Sequence, residues 1–339
     1  MKLIVQIPCH NEAETLPSVV ADIPREILGI SRVEILVIDD GSTDGTSEVA
    51  REHGVDHVVQ NLSNQGLART FQTGFDAALR LGADIIVNTD GDNQYPGADI
   101  PKLVAPIVAC EADIVIGDRQ TANVPGFSPI KKLLQKIGSA VVARLSGIDV
   151  PDAVSGFRAF SREAAFNTNI FSTFSYTIET LIQAGLKNFT VVSVPIGTNP
   201  VSRPSRLFRS IPHFVIQSVT TMVRVYAMYR PLRVFMYIGT TFVVFGLIPV
   251  IRFVFYYFSG AGDGKIQSLI LGGTLITIGG LSLMFGMLAD LISFNRQLSE
   301  ITLERVRRLE MRTPAAGDSD TKNKESYRTS AAPEVDSGS

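Results

Sequence analysis

The sequence predicts an α/β fold. A mostly parallel sheet with helices on both faces is followed by amphipathic interface helices and a two-helix transmembrane hairpin. Three observations predict it. Short apolar runs alternate with amphipathic stretches up to about residue 200, the pattern of strands joined by crossover helices. Residues 200–233 carry arginines and no acid. Two long apolar runs then follow, separated by a short turn-like link.

The strands are expected at 2–7 (KLIVQI), 33–38 (VEILVI), 56–60 (DHVVQ), 83–87 (ADIIV) and 112–116 (ADIVI), with helices at 12–24, 44–53, 66–81 and 99–110. The opening MKLIVQIPCHNE has too short an apolar stretch for a signal-peptide core and reads as a first strand. In such sheets ligands bind beyond the carboxyl ends of the strands. The polar segments PCHNE, DDGSTDGT, TDGDNQ and GDR all follow strands there.

In 200–233, Arg203, Arg206, Arg209, Arg224, Arg230 and Arg233 interleave with Leu207, Phe208, Ile211, Phe214, Val219 and Val225. That mixture suits basic amphipathic helices lying at a membrane surface. The run 234–251 holds eighteen residues without a charge, roughly 27 Å as helix at 1.5 Å per residue. Aromatic residues at 253–258 extend it as an interfacial belt, and 266–288 forms the second apolar run. The spans are expected at about 234–257 and 266–290, inside a hairpin region 234–295, with a basic juxtamembrane helix at 296–312. Arginines crowd the outer flanks of the hairpin while the link SGAGDGK holds one Lys and one Asp. The positive-inside rule then puts the catalytic domain (1–200) and both termini in the cytoplasm, in a multi-pass membrane protein. Charge-free runs of this length disfavour a soluble protein with two core helices. Small residues in GGTLITIGG (272–280) could pack helices together and would allow a homo-oligomer. Residues 313–339 have almost no large apolar side chains and are expected to be disordered.

Composition excludes several classes. The formal net charge is −2, so no global field draws nucleic acid. Two cysteines, Cys9 and Cys110, make no disulfide framework and read as reduced thiols in a cytosolic domain. No G-x-G-x-x-G follows the first strand and no G-x-x-x-x-G-K-[ST] occurs, which disfavours a nicotinamide dehydrogenase and a P-loop enzyme. His53, His57 and His213 lack metal-ligand spacing.

The chemistry concentrates in NTDGDNQYP, 88–96. Asp90 and Asp92, at i and i+2 in a turn after a buried strand, can offer oxygens to one hard cation, Mg²⁺ or Mn²⁺. Such a seat leaves room for a diphosphate; Gln94 could add a third oxygen, and Gly91 would let the backbone turn tightly. An ordinary Asp-Gly turn with solvated carboxylates has the same local sequence, so position after the strand carries the argument. In VIDDGSTDGT (37–46), helix capping explains Ser42 to Asp44. It does not explain two acids, Asp39 and Asp40, at a strand end, where one could accept hydrogen bonds from a base or ribose.

Taken in order, IPCHNE, VIDDGSTDGT, NTDGDNQYP and VIGDR resemble the family 2 glycosyltransferases of the GT-A fold. DAVSGFRAFSREA (152–164) and the hairpin narrow the resemblance to polyprenyl-phosphate glycosyltransferases, the dolichyl-phosphate mannose synthase group. It covers about residues 3–300, and the ordered set of motifs is specific where no single one is. The resemblance implies that Pro8, Asn11, Glu12, Asp39, Asp40 and Asp90 line a nucleotide-sugar pocket. Asp90, Asp92 and Gln94 would surround the metal and the donor diphosphate. Asp92, Arg119 and Asp152 would carry catalysis, Arg119 by neutralising phosphate charge and Asp152 beside the acceptor phosphate as a base or an orienting group. Lys131, Lys132, Ser155, Arg158, Arg203 and Arg206 would bind or shape the site of that phosphate. Two departures stand out: RPSRL replaces a Gly-x-Ser-Lys-like turn, and Gln135 stands where a serine would follow Lys131.

The resemblance implies an inverting transfer from a nucleoside diphosphate sugar to a polyprenyl phosphate at a membrane. Two alternatives differ in class. One is a membrane-anchored transferase with another lipid or glycan acceptor; the other is a scaffold that binds nucleotide sugar without turnover. Neither sugar nor base is written in the sequence.

Overall fold

The computed structural model describes residues 1–120, 129–170, 176–199, 226–259 and 266–312, with scattered positions between 216 and 224; the side chains of 129–137 and 310–312 fall outside that description. Two compact units divide the chain, Met1–Gln297 and Leu298–Ser339.

The strands are β1 (Lys2–Cys9), β2 (Arg32–Asp39), β3 (His57–Gln60), β4 (Ile85–Asn88), β5 (Ile114–Asp118), β6 (Arg158–Ser161) and β7 (Val191–Pro195). They form one seven-stranded sheet in the order β3-β2-β1-β4-β6-β5-β7. The helices packed with it are α1 (Leu16–Asp22), α2 (Thr46–Glu52), α3 (Leu67–Arg80), α4 (Ile100–Val108), α5 (Pro129–Ser146), α6 (Arg162–Asn167) and α7 (Tyr176–Leu186). The five expected strands are present, and two more join them. β6 runs antiparallel to both β4 and β5 and separates them, while β7 lies parallel to β5. A four-residue strand that begins with an arginine shows no apolar run, which is why β6 escapes a reading by hydrophobic periodicity.

β1 and β2 are central and covered on both faces, so they read as continuous apolar runs. Val5 pairs across the sheet with Ile35 and with Val87, at the middle of a core that includes Leu3, Ile7, Val37, Leu103 and Val104. α3 buries Phe71 and Phe75 on one face; Phe71 stacks on Tyr176 of α7 with ring centroids 4.0 Å apart. The buried carboxylate of Glu34 is balanced by Lys2 at 2.8 Å, Arg32 at 2.6 Å and His57 at 2.7 Å.

From β1 the chain moves outward to β2 and β3, then returns to place β4 on the other side of β1. That reversal opens a crevice at the carboxyl ends of β1 and β4, where ligands bind in sheets of this kind. β6 runs the opposite way, so its first residue, Arg158, lies at the same edge, opposite Asn88 at the end of β4.

Two further helices, α8 (Pro231–Phe258) and α9 (Ile266–Arg312), are long and apolar enough to cross a membrane. At 28 residues, α8 is roughly 42 Å long against a hydrocarbon core of about 30 Å. Their large apolar side chains face outward, among them Tyr237, Phe245, Ile248, Ile270 and Phe285, the reverse of core helices in a soluble protein. Glycines let the two backbones approach: a methyl on Gly246 would lie 2.9 Å from the Gly272 carbonyl, and one on Gly279 would lie 2.8 Å from the Gly239 carbonyl. The segment expected as a separate juxtamembrane helix, 296–312, continues α9 without a break. In the second unit, Arg308 pairs with Glu304 one turn before it at 2.8 Å.

Candidate active site

The crevice is assembled from four loops. After β1, Asn11 adopts φ 56°, a left-handed conformation that asparagine tolerates. Its N–H donates to Ser42 Oγ at 2.9 Å, and its Oδ1 accepts the Thr43 N–H at 2.9 Å. The Glu12 N–H donates to Thr46 Oγ1 at 3.0 Å. The loops after β1 and β2 are thereby stitched into one wall, with Pro8 at the buried end of β1.

Asp39 and Asp40 are both buried, and protein donors engage both. Asp39 accepts the Ser42 N–H at 2.9 Å and a short bond from Ser47 Oγ. Asp40 accepts Asn61 Nδ2, the Gln65 N–H and the Gly66 N–H, each at 2.9 Å. Asp40 thus holds the 61–66 loop against the crevice, a loop that sequence reasoning passed over. Cys9 lies beneath the wall; burial first, then the charges of Glu12 and Asp39, raise its thiol well above its ordinary value, which suits an inert thiol.

The acidic turn follows β4. Gly91 is required for closeness rather than for an unusual φ, because a methyl there would meet Cys9 Sγ at 2.9 Å. The left-handed residue of the turn is Asn93, φ 58°. Thr15 Oγ1 lies 2.9 Å from Glu12 Oε2 and 2.7 Å from the Gly91 carbonyl, and its single proton serves these two acceptors in turn. The Gln94 N–H donates to Asp92 Oδ1 at 3.1 Å, and Asn199 braces the turn through the carbonyls of Asn93 at 3.0 Å and Gln94 at 2.9 Å.

Asp90 differs from the other acids of the crevice. Among the described residues no donor is bonded to its carboxylate. Burial first and the charge of Asp92 second, only partly offset by Arg119, push its carboxyl up to about 7. No three His, Cys, Asp or Glu side chains converge on one point among the described residues. The donor set is therefore two carboxylates, whose remaining coordination would come from water and diphosphate oxygens, as Mg²⁺ and Mn²⁺ accept. An acid without donors, crowded by like charge at a crevice, fits a cation seat.

On the opposite wall Arg119 follows β5. Its Nε and Nη2 donate to Asp152 Oδ2 and Oδ1 at 2.7 and 3.0 Å. The pair is nearly enclosed, with side-chain exposures of 13% and 1%. Both carboxylate oxygens of Asp152 are engaged with the one guanidinium, and Oδ1 also accepts the Val154 N–H at 3.3 Å. Ser139 Oγ accepts the Ala153 N–H at 3.3 Å, tying α5 to the same segment.

Arg158 is 0% exposed. It donates to the carbonyls of Ser155, Thr177 and Ala153, each at 2.8 Å, and to Thr180 Oγ1 at 2.5 Å. Burial lowers its pKa to about 10, so it stays charged at neutral pH. These bonds make Arg158 a brace between the 153–155 segment and α7. Ser155, also 0% exposed, keeps a hydroxyl without a hydrogen-bond partner among the described residues. Lys131 and Lys132 lie on α5 with side chains outside the described residues, as do Arg203 and Arg206 entirely.

The chain is similar to known proteins. The sequence model of glycosyl transferase family 2 matches residues 4–166. A polyprenol monophosphomannose synthase of Mycolicibacterium smegmatis is 32% identical over 209 residues, covering 58% of this chain and 76% of that protein. A UDP-N-acetylglucosamine–dolichyl-phosphate N-acetylglucosaminyltransferase of Methanococcus voltae is 29% identical over 217 residues, covering 57% and 83%. The fold is shared with glucosyl-3-phosphoglycerate synthase from Mycobacterium tuberculosis, solved with Mn²⁺, UDP-glucose and phosphoglyceric acid, at a TM-score of 0.53 and 23% identity over 67% of this chain and 80% of that one. The sheet order, the crevice at the ends of β1 and β4, and these matches lead to one assignment: the chain belongs to glycosyl transferase family 2.

Proposed function

We propose that this chain transfers a monosaccharide from a nucleoside diphosphate sugar to a polyprenyl phosphate, with inversion, on the cytoplasmic face of a membrane. The observation that carries the reading is the pairing of opposite walls: Asp90, without a donor among the described residues, beside Asp92 on one side, and Arg119 held by Asp152 on the other. The names of the relatives, a polyprenol monophosphomannose synthase and a dolichyl-phosphate N-acetylglucosaminyltransferase, support the acceptor class.

In this reading the wall made by Pro8, Asn11, Glu12, Asp39 and Asp40 receives the nucleoside. Asp39 and Asp40 act by fixing the loops at 42–47 and 61–66. Asp90, Asp92 and Gln94 hold a Mg²⁺ or Mn²⁺ ion; when bound, such an ion supplies positive charge for the leaving diphosphate. Arg119 Nη1, which has no hydrogen bond among the described residues, is available to a phosphate oxygen. Asp152 holds the guanidinium in the orientation for that task. The acceptor phosphate is anionic at neutral pH, so its oxygen attacks the anomeric carbon without a strong base. The bond from that carbon to the diphosphate breaks, and the nucleoside diphosphate leaves. Lys131, Lys132, Arg203 and Arg206 would complete the acceptor-phosphate site. α8 and α9 would anchor the enzyme as a hairpin with both termini cytoplasmic, and the basic stretch before α8 would attract anionic headgroups.

The test is transfer by full-length protein in detergent, with polyprenyl phosphate, Mg²⁺ or Mn²⁺ and a panel of labelled nucleotide sugars. Label entering the organic phase from one donor, lost with EDTA and in Asp92→Asn, is expected. Label that stays in the aqueous phase on a soluble acceptor would refute the lipid-phosphate acceptor. A folded protein that binds nucleotide and turns over no donor would favour a scaffold.

A further inference from the structure

Two residues bracket the acidic turn, Asn88 at the end of β4 and Tyr95 just beyond Asp92, and both hold the same glycine. Asn88 Nδ2 donates to the Gly156 carbonyl at 3.0 Å, and the Gly156 N–H donates to Tyr95 Oη at 3.2 Å. Tyr176 Oη accepts from Asn88 Nδ2 at 3.0 Å and donates to the Gly156 carbonyl at 3.4 Å. Gln6 Nε2 donates to Asn88 Oδ1 at 2.9 Å and fixes the orientation of the amide. Gln6, Asn88, Tyr95 and Tyr176 are all buried, so water does not compete for these bonds. The Tyr95 ring also stacks on Phe157, with centroids 5.1 Å apart.

Gly156 in turn lies against Asp90. A methyl on Gly156 would stand 3.1 and 3.2 Å from the two Asp90 carboxylate oxygens and 2.8 Å from Tyr176 Oη. Only hydrogen fits there. Four positions earlier on the same segment, Asp152 grips Arg119. One clamped residue therefore touches the acid of one wall and belongs to the segment that forms the other.

We propose that Asn88, Tyr95 and Gly156 are positioning residues that hold the Asp90 carboxylate at a fixed spacing from the Arg119–Asp152 pair. None of them touches the reacting atoms. The proposal rests on the reading that Asp90 and Asp92 take a divalent cation together with a nucleoside diphosphate. A network serving only to stabilise the fold would lower the unfolding temperature and leave the cation affinity of the folded protein alone. A network that positions Asp90 changes that affinity directly.

The experiment measures Mn²⁺ affinity by electron paramagnetic resonance on full-length protein in detergent, with UDP or GDP present, alongside thermal unfolding. Gly156→Ala is expected to weaken Mn²⁺ about 10- to 100-fold, the range for groups that orient metal ligands. Tyr95→Phe keeps the ring stack, loses the hydroxyl, and is expected to weaken Mn²⁺ about tenfold, with a lowered unfolding temperature because the buried Gly156 N–H loses its acceptor. Gly138→Ala, at an open position on α5, is expected to match wild type. Wild-type Mn²⁺ affinity in folded Tyr95→Phe or Gly156→Ala would overturn the proposal, as would losses no larger than the unfolded fraction. No Mn²⁺ binding by wild type with either nucleotide would overturn it as well. A wild type that binds Mn²⁺ with nucleotide but transfers no sugar to polyprenyl phosphate counts against the acceptor alone, and the affinity comparison still decides the positioning.

Discussion

Removing Asp152 separates two roles that the sequence alone left open. In Asp152→Ala, Arg119 keeps its place with 13% of its side chain exposed and loses its bidentate partner. Breaking a buried pair by deleting one partner costs about 3–5 kcal/mol, because the other charge is left uncompensated. The residual exposure of Arg119 places the expectation near the lower end, about 3 kcal/mol of stability. Deleting both charges in Asp152→Ala/Arg119→Ala removes the stranded cation, so the double variant should lose less than the sum of the singles, by about 1–3 kcal/mol. Turnover should fall in all three variants, and the pH dependence of the residual rate should keep its acidic limb. The assay is denaturant unfolding for the cycle and sugar transfer across pH for the profile. Additive stability losses, together with an acidic limb that vanishes in Asp152→Asn, would refute the orienting role and make Asp152 the base.

Other consequences are open to direct measurement. Arg158→Lys keeps the charge and loses the fan of donors to the carbonyls of Ala153, Ser155 and Thr177; stability should drop by about 3 kcal/mol, with nucleotide affinity of the folded fraction retained. Burial alone would raise the Glu34 carboxyl, but hydrogen bonds from Lys2 and His57 and the charges of Lys2 and Arg32 hold it below its ordinary value. Its contribution is therefore present above the unfolded value of 4.5 and lost as pH falls through the folded one. Glu34→Gln should be less stable than wild type by about 2 kcal/mol at pH 7, a gap that thermal unfolding should show closing on acidification. Gly279→Leu, whose added carbon meets the Gly239 carbonyl at 2.8 Å, should destabilise the hairpin by about 1–3 kcal/mol. Gly280→Leu, at an open position, should not; equal behaviour of the two in detergent unfolding would contradict the packing of α8 on α9.

The side of the crevice built from β1, β2 and β4 was legible because its signals are local. β2 and β4 are apolar runs ending in Asp39 and Asn88, and Asn11 and Glu12 lie just beyond the apolar run of β1; the carboxyl end of a parallel strand is where such residues collect. The side built from β5 and β6 was less legible because its signals are non-local. Arg158 in SGFR has the composition of a ligand residue, and only the carbonyls of Ala153, Ser155 and Thr177 around it show a brace. The partnership of Arg119 with Asp152 spans 33 positions, and no short motif encodes it. Asn88 gave the one readable clue to the buried network, a polar residue ending the run Ile85–Val87. Nothing in the sequence alone points from it to Gly156.

The reversed strand β6 has a consequence for how acceptor preference would change under the proposed function. β5 ends at Asp118 on the crevice edge, and β6 starts at Arg158 on that same edge. Arg119, just past β5, and Asp152, shortly before β6, are held together there by the sheet register and by their ion pair. In that reading the architecture behaves as a tool holder: β1, β2 and β4 fix the donor-side chuck, and the Arg119–Asp152 clasp marks where an exchangeable acceptor-side bit is mounted.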